Sequence, residues 1–324
     1  MVEKTGGDLA SAMKGFAWAG VAAQQREAAE RCGARLVTLE DGDYPAGLRA
    51  ISDPPPFLLV RGTVLREDAL AVAVVGSRRP TSYGLGVAGR LAGDLGARGI
   101  TVVSGLARGV DTAAHRGAMA TGGRTIGVLG CGVDVVYPPE NRGLVGDVAK
   151  SGALLSQFPM GTSPLAQHFP IRNRTIAALS LGAIVVEAAG RSGALITARV
   201  AAELGREVYA VPGNVSSAAS EGTNRLIQDG AKLVRGWEDV VAEWPPAWQG
   251  ALRPPRVLDR PGAPSEPLAS GDERILTLLG DAPVTVDALV HDTRMPAGEV
   301  AARLVRLELH GLVSQLPGQR YVKT

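Results

Sequence analysis

Three short turns along the chain combine Gly or Ser with Arg, a combination suited to holding phosphate. They are Gly76-Ser77-Arg78-Arg79, then Ser104-Gly105-Leu106-Ala107-Arg108, and finally Arg191-Ser192-Gly193. Each follows a short apolar run, the pattern of a buried parallel strand ending in a tight loop. In an open parallel sheet, ligands bind outside the carboxyl ends of the strands, where helix N-termini offer free N–H groups to anions. Arg adds a planar fork that matches phosphate. Gly76-Ser77 taken alone can also be read as a strand-to-helix turn with a capping Ser. Three such loops on one edge favour a phosphate-binding edge.

A fourth stretch, His168-Phe169-Pro170-Ile171-Arg172-Asn173-Arg174, places an aromatic ring beside two arginines just before an apolar helix face of Ile176, Leu179 and Leu181. An aromatic face stacks a base while Arg tracks phosphates, the combination used on single strands. The competing reading is a buried Phe with two solvated arginines. Asp111 and His115 stand at i, i+4. With no third ligand nearby in sequence, a carboxylate in the first helical turn and a locally bonded His outweigh a metal site. Glu187 either orients Arg191 or Arg78 or caps a helix. Cys131, in a glycine-rich strand end, reads as a small residue in a tight loop rather than a nucleophile. The dinucleotide fingerprint lacks its second and third glycines, and no GxxxxGK[ST] occurs. No metal or cofactor site is expected.

The elements that must position these residues alternate. Apolar runs predict strands at 72–75, 101–103, 125–129, 153–155, 183–187, 207–211 and 231–234, with Phe57–Val60 leading in. Helical segments fall at 83–98, 109–121, 171–181 and 192–205. This order predicts an α/β fold, an extended Rossmann-like doubly wound parallel sheet with right-handed crossovers. An Ala-rich helix around Leu9–Arg31 makes residues 1–33 a residual N-terminal segment before a core at 34–244. Residues 245–270 are rich in Pro, Gly and Ser and read as a linker. Residues 271–324 predict three helices and a hairpin turning at Pro317-Gly318, a small winged helix. Its third helix sets Arg303 and Arg306 against Glu299 and Glu308 and is not distinctly basic.

With 324 residues and a net charge of +2, any nucleic-acid surface must be a local patch. The two cysteines, Cys32 and Cys131, have no metal or redox spacing, which with the absence of a signal peptide or a bilayer-length apolar run predicts a reduced, cytoplasmic protein with no membrane partner.

VVGSRRPTSYG, VSGLARGVDTAAH, GVDVVYPPEN, FPIRNRTIAALS, VVEAAGRSGALITARVAAELGREVYAVPGN and GTNRLIQDGAKLV together resemble the DNA-processing protein A family (DprA, also called Smf), nearly continuously from Ala71 to Val234. The resemblance implies a non-enzymatic core that binds single-stranded DNA and loads the RecA recombinase on incoming strands during natural transformation. It further implies that Gly76, Ser77 and Arg78 hold a backbone phosphate, with Ser104, Gly105 and Ala107 lining the same pocket. His168, Phe169, Arg172, Asn173, Arg174, Arg191, Ser192 and Gly193 are carried over with them. A homodimer is implied at the far end of the core, where Leu226, Ile227 and Leu233 offer apolar side chains. The alternative is that these pack within the monomer, as expected of Leu233 in a strand. Two departures stand out: Pro139 and Ala166 occupy positions where members often carry a basic residue, and the usual N-terminal helical domain is reduced to about one helix. The rival from another class is a Rossmann-like nucleotide hydrolase using the same loops with Glu187, though a PGGxGTxxE-type loop is missing.

Overall fold

The computed structural model describes residues 18–242, 244–254, 270–280, 283–309, 312–316 and 318–323. These fall into two units, Met1–Pro254 and Pro255–Thr324. In chain order the first contains α1 (Trp18–Arg31), β1 (Ala34–Thr38), α2 (Ala46–Arg49), β2 (Phe57–Gly62), β3 (Ala71–Val75), α3 (Ser82–Ala97), β4 (Thr101–Ser104) and α4 (Val110–Ala120). There follow β5 (Thr125–Val128), α5 (Arg142–Ser151), β6 (Ala153–Ser156), α6 (His168–Leu179), β7 (Gly182–Val185) and α7 (Gly193–Glu203). The unit closes with β8 (Glu207–Ala210), α8 (Glu221–Gln228), β9 (Lys232–Leu233), α9 (Trp237–Val241) and α10 (Pro246–Gln249).

Period-2 alternation in buried strands builds two cores at once. Along β3, Ala71, Ala73 and Val75 enter one apolar cluster with Ile176, Ala177, Ala198 and Ala201 from α6 and α7. Val72 and Val74 enter another with Val87, Leu91 and Leu95 of α3 and Val110 and Ala114 of α4. The sheet order is β1-β2-β6-β5-β4-β3-β7-β8-β9. From β6 to β9 all pairs are parallel, which sends the loops after β3, β4, β5, β6 and β7 to one edge. The chain winds outward from β3 through β4, β5 and β6, then crosses to β7 on the other side, as a doubly wound sheet requires.

The expected parallel sheet is corrected at one margin, where β2 pairs antiparallel with β6 and β1 antiparallel with β2. The strand β1 escapes sequence reading because only Ala34 and Val37 are buried in it, so neither an alternating nor a continuous apolar pattern shows. Of the expected N-terminal helix, Trp18–Arg31 is described and residues 9–17 lie outside the described residues. Residues 245–254, read as the start of a linker, stay with the core: Leu252 packs beside the α3 cluster and Arg253 N–H donates to Arg98 O at 2.8 Å. The rest of that segment, 255–269, lies outside the described residues.

The second unit contains α11 (Ser270–Leu278), β10 (Val284–Thr285), α12 (Val286–Thr293), α13 (Ala297–Leu309), β11 (Val313–Leu316) and β12 (Arg320–Lys323). Its small sheet has the order β10-β12-β11 over a core of Ile275, Leu289, Val300, Leu304 and Leu307, a winged helix. Pro317 of the hairpin lies outside the described residues, while Gly318 takes a φ of 85°. Arg303 and Arg306 on α13 both bond the buried Asp272, and Arg303 also bonds Glu299. Both cations of that helix are thus neutralised within the unit.

Candidate nucleic-acid interface

A cleft opens at the carboxyl edge of β3, β4 and β5, lined by Arg78, Gly105, Ala107, Arg108, Leu129, Gly130, Cys131, Tyr137, Pro138, Phe169 and Arg172. At its centre is the Phe169 ring. The guanidinium of Arg78 lies 5.3 Å and that of Arg172 5.6 Å from the ring centroid, within cation–π range. The Tyr137 ring stands 5.8 Å away, tilted by 40°. Gly130 makes room for this arrangement, since a Cβ there would lie 3.0 Å from a Phe169 ring carbon.

Arg172 is not a surface cation. It is 5% exposed, and its Nη1 donates to the carbonyls of Gly105 and Val128, the latter at 2.9 Å. Its Nε donates to Asn173 Oδ1 at 3.1 Å, and Asn173 Nδ2 reaches Gly193 O at 3.5 Å. A Cβ at position 105 would fall 2.2 Å from Arg172 Nη1, so only Gly fits beneath the fork. The buried counter-charge is Asp111. Burial pushes its carboxyl up, opposed by Arg172, by backbone N–H groups and by Arg78. Asp111 Oδ2 accepts from Gly105 N–H at 3.1 Å and Ala107 N–H at 3.3 Å. That engagement corrects the expectation of N–H groups free to cradle a phosphate: Gly105 and Ala107 line the cleft, but their donors are spent on the protein's own carboxylate. Between them Leu106 takes a φ of 57°, uncommon for a branched residue. Its side chain is fully buried and its carbonyl accepts from Asn141 Nδ2 at 2.8 Å, which holds the turn.

Other expected residues are used differently. Ser77 Oγ accepts from Arg79 N–H at 3.0 Å. Ser104 stands outside the cleft, its buried hydroxyl donating to Val74 O at 2.7 Å. The His168 ring stacks on Phe158 at 4.4 Å rather than lining the cleft. Ser192 caps α7, accepting from Ala194 N–H at 3.3 Å beside the exposed Arg191 and Gly193. Glu187 resolves to the capping alternative: it accepts from Thr81 N–H at 2.9 Å and Thr81 Oγ1–H at 2.5 Å at the start of α3. Gly76 packs against Val110. The helix expected at 171–181 starts three residues earlier, at His168, so Phe169 joins Arg172, Asn173 and Arg174 in the first turns of α6. Asp111 and His115 are both engaged locally, Asp111 by the Gly105 and Ala107 N–H groups and His115 Nδ1 by Thr125 Oγ1 at 2.6 Å. At the far end, Leu226 packs against the core cluster while Leu233 is 41% exposed, the reverse of the expected burial of Leu233.

The structure adds three residues around the cleft and a fourth, Asp53, on Arg174 outside its lining. Tyr137 joins the aromatic floor, Asn141 holds the Leu106 turn, and Glu140 and Asp53 bond Arg108 and Arg174. Asp53 and Arg174 are 121 residues apart in the chain, and no local pattern signals such a pair.

The family model described as DNA recombination-mediator protein A matches residues 35–245, and that of the DprA winged helix domain matches 259–319. The protein Smf of Synechocystis sp. is 36% identical over 316 residues, covering 89% of this chain and 79% of the relative. The DNA processing protein DprA of Streptococcus pneumoniae is 44% identical over 204 residues, covering 63% and 72%. Its crystal structure superposes with a TM-score of 0.61, covering 65% of this chain and 74% of that one at 43% identity. DNA processing protein A from Helicobacter pylori, whose structure addresses its single-stranded DNA binding mode, gives a TM-score of 0.59 at 29% identity over 68% and 98%.

Proposed function

The chain belongs to the DNA recombination-mediator protein A family, and from that premise we propose that it binds single-stranded DNA in the Phe169 cleft. The observation that supports this reading is Arg78 standing over the Phe169 ring at the mouth of a cleft closed by Tyr137 and Gly130. A base stacks on a ring only where the strand is unpaired, while guanidinium forks follow the backbone. Arg78 is the phosphate contact, since it is exposed and has no carboxylate partner among the described residues. Phe169 is the stacking platform, and Arg172 with Asp111 is the buried frame that holds it.

By resemblance, the bound strand is handed to RecA during DNA uptake, and the chain works as a homodimer without catalysing a reaction. The test is binding of a fluorescent oligo-dT against duplex of equal length across a salt series. Single strands should bind more tightly, with log K falling against log salt at a slope of about −3 for ~4 neutralised phosphates. Equal affinity for the two would overturn the reading.

A further inference from the structure

Arg108 in the cleft and Arg174, on α6 outside the cleft lining, are already engaged by carboxylates of the chain itself. Arg108 bonds Glu140, which sits in the 3-10 turn Pro139–Asn141, and Arg174 bonds Asp53 in the segment before β2. All four side chains reach solvent, with Glu140 48% and Asp53 63% exposed. In each pair the arginine's hydrogen bond is the first cause holding the carboxyl below its ordinary range, so both carry charge at neutral pH.

These pairs differ from the structural ones in the same chain. Asp68 is 3% exposed, bonds Arg124, and also accepts from Thr101 Oγ1 at 2.7 Å and Leu65 N–H at 2.8 Å. Asp272 is likewise 3% exposed and holds two arginines. Beside its arginine, Asp53 accepts from Ser52 Oγ at 3.3 Å, and both Asp53 and Glu140 accept from their own backbone N–H, which are local contacts on exposed carboxylates. An exposed ion pair contributes little to stability, whereas a phosphate offers the same fork a charge-assisted bidentate partner. Exchange of carboxylate for phosphate is therefore easy in both directions.

We propose that Glu140 and Asp53 are internal competitors for the DNA backbone. Each occupies its arginine in the free chain, yields it to a phosphate when a strand enters, and takes it back as the strand leaves. The proposal rests on the reading of the cleft as a single-strand site and adds residues that set its affinity and residence time. Such a device suits a protein that must release what it binds.

The test uses the full chain carrying Glu140→Gln, Asp53→Asn, or both, with oligo-dT as the probe and a competitor chase to read dissociation. Glu27→Gln serves as the control, because Glu27 pairs with Arg31 on α1 and the variant changes net charge equally. Each cleft variant should bind about 2–5-fold more tightly at low salt, chiefly through slower dissociation, and steepen the salt slope by up to ~0.7. Unchanged affinity in both cleft variants would overturn the proposal. So would weaker binding, which would make the carboxylates positioners of the arginines, or equal tightening by Glu27→Gln, which would make the effect one of net charge. If the wild-type chain shows no preference for single strands, the functional reading fails in its own arm, and this proposal falls with it.

Discussion

At the residue scale, the cleft separates cations that contact a ligand from cations that build the site. Arg78→Ala removes an exposed fork without disturbing the fold. It should weaken oligo-dT binding at every sequence and flatten the salt slope by about 0.7, because a phosphate contact carries no base information. Phe169→Leu keeps apolar volume but deletes the π-face. It should cost about 1–3 kcal/mol of binding, the range of a stacked base, while leaving the slope unchanged. A slope that moves with Phe169 rather than Arg78 would exchange their roles. Arg172→Ala is a different experiment, since it strands the buried Asp111 charge at a cost of about 3–5 kcal/mol of stability. Lost binding in that variant reports a collapsed frame.

His115 tests the same buried region by pH. Burial, reinforced by Arg172, pushes its pKa down to about 3. Thr125 Oγ1 donates to Val102 O at 2.8 Å, so it accepts from His115 Nδ1 at 2.6 Å, and the lowered pKa leaves the ring as the neutral Nδ1–H tautomer at pH 7. The unfolded chain takes up this proton near the ordinary 6.5, so stability present above pH 6.5 is lost as pH falls toward 3. Between pH 6.5 and 5 the loss should be about 2 kcal/mol from this group. Urea unfolding of the full chain, with hydrogen exchange followed at β4 and β5, reads it. In His115→Gln the same interval should be nearly flat, and an equally steep fall there would assign the dependence to other groups.

At the scale of elements, α3 and α4 pack through glycine. A Cβ at Gly117 would meet Gly89 O at 2.1 Å, whereas one at Gly86, on the same helix as Gly89, meets nothing within 4 Å. Gly117→Ala should therefore destabilise by about 1–3 kcal/mol through overpacking. Gly86→Ala should stabilise by roughly 0.5–1 kcal/mol through lower unfolded-state entropy. Chemical unfolding of both variants decides it, and equal effects would contradict the helix contact.

The same scale explains what could be read from the chain. The strands β3, β4, β5 and β7 are legible because continuous apolar runs stop at Gly or Ser, or for β7 at Glu187, and their order implies one ligand-bearing edge. The start of α6 is not, because Pro170 reads as a break, yet in the first helical turn its missing N–H has no partner to lose. Arg172 reads as solvated in any linear pattern. Its burial depends on Gly105, Val128 and Asp111 from three other segments. Ser104 and Ser77 have the right type for phosphate, but the Ser104 hydroxyl is buried and donates to Val74 O, while Ser77 Oγ accepts from Arg79 N–H. Residue type and spacing point to this edge of the sheet, and long-range contacts decide which side chains line the cleft there.

At the scale of the whole molecule, a net charge of +2 leaves no general attraction for DNA, so binding has to come from where the cations stand. In the winged-helix unit Asp272 and Glu299 engage Arg303 and Arg306, while Arg274, Arg294 and Lys323 stand exposed, so a salt series on the full chain reads both units. Pairing of two chains, proposed from the resemblance, can be located through the contrast between two leucines. Leu226 packs against the β3 core while Leu233 lies 41% exposed on β9, the last strand of the sheet. Leu233→Glu should therefore abolish a dimer and leave the unfolding midpoint nearly unchanged, because a charge on an open edge blocks strand-edge and apolar association alike. Leu226→Ala should instead cost about 2 kcal/mol of stability whether or not a dimer exists, less than full burial would give, since the residue is half-buried. Light scattering at tens of micromolar should show twice the chain mass for wild type and the chain mass for Leu233→Glu. A wild-type monomer, or a dimer that survives Leu233→Glu, would move the pairing surface away from this edge.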